Sequence, residues 1–138
     1  MEADLDNRTD AGQRFSMTFM DGGSQLATDL REGVLSYKHV AVFMAVTLKL
    51  DYRTGMAAIK AEDLAEFIGM NPSMCRACLG RLQKRMLLAR GTTKDGGIRY
   101  IPNPYVTCCG SVTRRPFLWK LFKQAIETGS VALSDDVL

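Results

Sequence analysis

The sequence predicts a mainly α fold with a small β-wing (α+β), a winged helix-turn-helix, and three observations carry the prediction. Residues 61 to 105 read in order as a short acidic helix, a tight turn, a basic helix and a glycine-tipped hairpin. The turn is punctuated: Gly69 can end the first helix in a left-handed conformation, and Asn71 can cap the second with Pro72 at its first position. Charge is also segregated. Residues 71 to 123 hold eleven Lys or Arg against Asp95 alone, residues 1 to 70 hold seven against eleven Asp or Glu, and from Gln124 onward only Glu127, Asp135 and Asp136 are charged. A net charge of +3 therefore hides a polyanion-seeking segment between acidic flanks.

Taken in order, Arg14 to Asp21 (RFSMTFMD) alternates, with Phe15, Met17 and Phe19 on one side, and reads as a short edge strand before a Gly22-Gly23 break. A soft connector follows. Ser36 then reads as the N-cap of a scaffold helix running to about Leu50, with Val40, Phe43, Met44, Thr47 and Leu48 as its packing stripe. Asp51 to Gly55 is turn chemistry, and Met56 to Ile59 is apolar enough for one small strand. Ala61 to Ile68 places its acidic residues in the first turn, where the helix dipole favours them, and offers Leu64, Ala65, Phe67 and Ile68 for burial. The basic helix turns Met74, Cys75, Cys78, Leu79 and Leu82 inward and carries Arg76, Arg81, Lys84 and Arg85. Leu87 to Arg90 and Ile98 to Ile101 flank GTTKDGG as a hairpin with Lys94 at its tip, and Pro102 and Pro104 stop the sheet. Phe117 to Thr128 gives a last helix with Phe117, Leu118, Leu121, Phe122, Ala125 and Ile126 on one broad face.

At 138 residues and 46% hydrophobic the chain fits one domain with trimmings. The reading divides it into a flexible acidic N-terminus (1–13), the winged helix-turn-helix (14–110), a helix for dimerisation (111–128) and a flexible acidic tail (129–138). The first 15 residues lack an apolar signal region, and the longest apolar run, Val40 to Val46, is far short of a membrane span. The expectation is a cytoplasmic, nucleoid- or plasmid-associated protein with no membrane partner.

In a helix-turn-helix the second helix enters the major groove and its outward residues meet base edges. That assigns base contacts to Ser73, Met74, Arg76 and Ala77, with Arg76 the candidate for a two-bond contact to guanine. Phosphate contacts go to Asn71, Arg81, Lys84, Lys94, Arg99, Arg114 and Arg115, with Lys120 able to extend them. The broad face of the last helix, with Phe117, Leu118, Leu121 and Phe122, is assigned to homodimerisation, which would set half-sites about one helical turn apart.

Chemistry beyond binding has little support in the sequence. Cys75, Cys78, Cys108 and Cys109 lack zinc-knuckle spacing and read as small buried residues in a reducing compartment, so no metal or other cofactor is expected. The single histidine, His39, reads as a helix packing residue and cannot supply the histidine pair of a nicking enzyme. A Gly-Lys-Ser/Thr phosphate loop is missing as well, and the chain is expected not to be an enzyme.

From about Phe15 to Gly110 the chain resembles the RepL-type plasmid replication proteins, small winged-helix proteins of the broader MarR-like group. The likeness lies in RFSMTFMD, LSYKHVAVFMAVTLKLDYRTG, LAEFIGMNPSMCRACLGRLQKRMLL and the exit IRYIPNPYVTCCG, taken in that order. Asn71-Pro72 stands where family members usually carry serine or threonine, Cys75 stands where a more hydrophobic residue is commoner, and the end beyond Thr128 has no counterpart. The resemblance implies double-stranded DNA binding without catalysis at an origin or operator of a plasmid or phage, with host replication proteins as partners. A repressor of its own operon and an interaction module that has lost DNA binding are the alternatives.

Overall fold

Helix boundaries follow local chemistry closely in the computed structural model, which describes residues 16–18, 20–109 and 114–138. In chain order these are β1 (Ser16–Thr18), α1 (Met20–Arg31), α2 (Tyr37–Leu48), α3 (Ala61–Ile68), α4 (Pro72–Lys84), β2 (Leu88–Thr92), β3 (Ile98–Pro102), β4 (Thr107–Cys109), α5 (Arg115–Thr128) and β5 (Val131–Ala132), then a short 3₁₀ turn, Asp135–Val137. The expected flexible segment 1–13, and Phe15 and Phe19 of the expected strand, lie outside the described residues. Among those described, no helix is long and apolar enough to cross a membrane.

Extended backbone at Ser36 starts α2, and the Ser36 N–H donates to His39 Nδ1 at 2.9 Å, so a histidine fills the position that Glu or Gln takes in a capping box. Gly69 ends α3 with φ 69° and ψ 36°, the left-handed conformation expected of it. Two residues on, Asn71 Oδ1 accepts the Ser73 N–H at 2.8 Å with Pro72 opening α4. The two helices and their turn lie where the sequence places them.

Other elements differ from expectation. The Gly22-Gly23 break and the connector after it are instead part of α1, a twelve-residue helix. Tertiary contacts override the two glycines: Leu26 packs on the main core, and Asp29 is buried with its carboxylate accepting Arg85 Nη2 at 3.0 Å and Nε at 3.1 Å. The buried face of α2 is also rotated from the predicted one. Val42, Phe43, Ala45 and Val46 are buried, whereas Met44 is 58% and Leu48 71% exposed. This helix is apolar on every side, so periodicity could not choose its inner face; packing against α3 and α4 did. Phe67, expected inside, is half-exposed under Lys49 Nζ, 4.1 Å from the ring centroid. The strand expected at Met56 to Ile59 is reduced to Ala57, which bridges Leu50 on one side and Tyr100 on the other.

β2 and β3 form the hairpin, antiparallel from Leu88↔Pro102 to Thr92↔Ile98. Pro102 is the last residue of β3, so the strand ends where the prolines place its end; the chain turns at Asn103, whose side chain accepts the Tyr105 N–H and donates to Met86 O, and β4 then pairs with β1. The tail is no loose end. β5 adds to β2 in parallel, giving the order β3-β2-β5, and Val131 and Leu133 are buried. A Cβ on Gly91 would lie 2.8 Å from Leu133 Cδ1, so glycine is what lets the tail close on the sheet.

The result is three layers. Helices α2, α3 and α4 pack with Leu87, Leu88, Tyr100 and Val106 into one core, and α5 packs with Met56, Ala89, Ile101, Val131 and Leu133 into a second on the other side of the sheet.

Candidate nucleic-acid interface

Helix α4 presents the candidate surface because only one of its sides is used by the fold. Cys75, Cys78, Leu79 and Leu82 are buried, and at 100° per residue the opposite side is centred on Ser73, Ala77, Gly80 and Lys84. Ser73, Ala77 and Lys84 are exposed, and a Cβ built on Gly80 meets nothing within 4 Å. Arg76 and Arg81 stand on the two flanks. Met74, expected on the packing stripe and also at bases, is 40% exposed and lies toward the Arg81 flank.

Each flanking arginine has a partner. Arg76 Nη1 donates to Glu62 Oε1 at 2.9 Å, crossing from α4 to the first turn of α3, with the side chains 52% and 59% exposed. Arg81 Nε donates to Val34 O at 3.2 Å in the loop before α2. Arg85, the fourth cation of this helix, is turned to Asp29, which pushes its guanidinium pKa further up and makes it a structural tie to α1. Asn71 spends its Oδ1 on the helix cap, which leaves only its amide group for a phosphate.

Beyond α4, Lys94 is exposed at the hairpin tip, where Thr93 N donates to Gly97 O at 2.8 Å and Thr93 Oγ1 hydrogen-bonds Asp95. That bond, with the Gly97 amide, holds the Asp95 carboxyl below the usual range. Arg99 is half-buried and donates to Ile98 O at 3.1 Å. Between α3, α4 and the hairpin lies a cleft of about 320 Å³ bordered by Lys60, Glu62, Arg76, Arg90 and Tyr100. Tyr100 is nearly buried and burial raises its phenol pKa, so it stays protonated. Lys60 and Arg90 were missed in the sequence, although a charge between buried Ala89 and Gly91 in a strand signals an outward side chain.

Several expected site residues lie elsewhere. Arg114 donates through Nε to Thr54 O at 3.1 Å and through Nη2 to Val137 O at 3.2 Å, tying the start of α5 to a loop and to the tail. The Arg115 guanidinium stacks over Tyr105 at 4.7 Å. Both belong to the α5 layer, across the sheet from α4, so the positive charge of residues 71 to 123 is divided between two faces.

Two of the four residues expected at a dimer contact are taken up by their own chain. Leu118 and Phe122 are buried in their own chain, Leu121 is half-buried on the same core, and Phe117 is partly exposed beneath Arg114. β5 and the tail cover what the sequence left as surplus apolar area.

Cys75 and Cys78 are free, buried thiols whose pKa burial pushes up; the side chains of Cys108 and Cys109 lie outside the described residues. Among the described residues no three His, Cys, Asp or Glu side chains converge as a metal site requires. Comparison of the chain with protein-family models, with curated proteins and with solved structures found no match.

Proposed function

We propose that this protein is a winged helix-turn-helix reader of double-stranded DNA that binds and does not catalyse, acting in replication initiation or copy control of a plasmid or phage. The observation that carries the reading is the outward side of α4: small residues at its centre and an arginine on each flank, with Ser73 and Ala77 exposed, and with Gly80 and Lys84 at its far end bordering a groove against Ala125 and Ile126 of α5. Such a face lets the helix backbone approach base edges, with Arg76 on one flank reaching a guanine and Arg81 and Lys84 reaching toward phosphate. In this arrangement α3 crosses the backbone, the hairpin is the wing and Lys94 meets a phosphate beside the groove. The replication role rests on the resemblance to RepL-type proteins, above all the exit from the hairpin through Asn103-Pro104-Tyr105.

Duplex binding measured by fluorescence anisotropy at 50 and 200 mM salt tests the DNA reading. With about six phosphates neutralised, affinity falls on the order of 10³-fold between them. An affinity that hardly changes with salt leaves only a protein-interaction role. Rescue of a replicon that lacks its initiator gene tests the role; failure with intact duplex binding turns the assignment to a repressor.

A further inference from the structure

We infer that Glu62 is a specificity-determining residue, which holds Arg76 in position to read a guanine; this rests on the DNA reading proposed above. The geometry points to it because the 2.9 Å bond joins the two helices of the turn and engages Nη1 alone. An arginine has five N–H donors in a rigid fork, so a guanidinium held at Nη1 still offers Nη2 and Nε to the O6 and N7 of a base. A long side chain left free loses rotamer entropy when it docks, whereas one already held loses less.

The fold has little need of this ion pair. α3 and α4 are already packed through Leu64, Ala65, Cys75 and Leu79, and a pair more than half exposed contributes little to stability. Glu62 is itself well placed: it lies in the first turn of α3, where the helix dipole favours a carboxylate. A carboxylate facing DNA repels phosphate, and here that repulsion is offset because Lys60 and Arg90 border the same cleft as Arg76 and Glu62. Glu62 thus adds discrimination at one base pair without setting the overall affinity.

Duplexes selected from a random pool, each with every single-base variant of its best site, and one scrambled duplex supply the test. Arg76→Ala abolishes the preference at one or two base pairs. Glu62→Ala lowers discrimination at those same pairs roughly tenfold, lowers the melting temperature by no more than a few degrees and leaves binding to the scrambled duplex equal or tighter. Glu62→Gln, whose amide oxygen still accepts from Nη1, falls between Glu62→Ala and the parent, and Glu62→Ala combined with Arg76→Ala is no worse than Arg76→Ala alone. Wild-type discrimination in Glu62→Ala overturns the inference, as does an equal loss on every duplex. If Arg76→Ala itself changes no base preference, the placement of α4 in the groove fails first and takes this inference with it.

Discussion

At the scale of single residues, His39 shows how a side chain that closes a helix cap can make the protein sensitive to pH. Its Nδ1 accepts the Ser36 N–H, with Ser36 Oγ 3.0 Å from the same nitrogen, and only a neutral imidazole has a nitrogen free to accept. Burial, and then the charge of Arg81, hold its pKa below the ordinary 6.5. The unfolded chain therefore binds that proton more readily, so this contribution to stability is complete above about pH 6.5 and is lost as pH falls toward the folded pKa. Urea midpoints measured from pH 8 to 5 should fall in the acid range. Glutamine can close the same capping box without titrating, so His39→Gln should flatten that part of the profile. An unchanged slope would remove His39 from the account.

At the scale of an element, Gly80 is the residue of α4 that its own fold does not require. A glycine inside a helix costs roughly 0.5–1 kcal/mol relative to alanine, and a methyl here meets no neighbouring atom. Gly80→Ala should therefore raise stability by about that amount in chemical denaturation. If the centre of this side approaches a DNA groove closely, the same methyl weakens duplex binding, so stability and affinity move in opposite directions. Tighter binding together with higher stability would place the contact surface elsewhere. The hairpin differs: its Thr93 to Gly97 tip is closed by its own hydrogen bonds, which hold Lys94 outward without help from the rest of the molecule.

At the scale of the whole molecule, the second core makes the C-terminal residues part of the fold. Leu133 is buried against Gly91 and the α5 layer, and truncating a buried leucine costs about 2–5 kcal/mol. Leu133→Ala should lower stability within that range in urea unfolding; a loss under about 0.5 kcal/mol, the level of a surface change, would return the tail to the flexible segment that its composition suggests. By itself the sequence determined the features that depend on neighbours a few residues apart. The Ser36 start of α2, the left-handed Gly69, the Asn71-Pro72 start of α4 and the GTTKDGG hairpin tip are closed by hydrogen bonds within one turn, so helices α3 and α4, the turn between them and the outward placing of Ser73 and Ala77 were legible. Only the tertiary structure decided features whose partners are distant. Arg85 finds Asp29 across 56 residues, Arg81 reaches Val34 across 47 and Arg114 reaches Thr54 across 60, which gives two residues expected at phosphates, Arg81 and Arg114, a structural role as well. The same holds for the inner face of α2, the helix through Gly22-Gly23 and the covering of α5 by the tail. In each, local pattern allowed more than one answer, and burial against a remote surface selected among them.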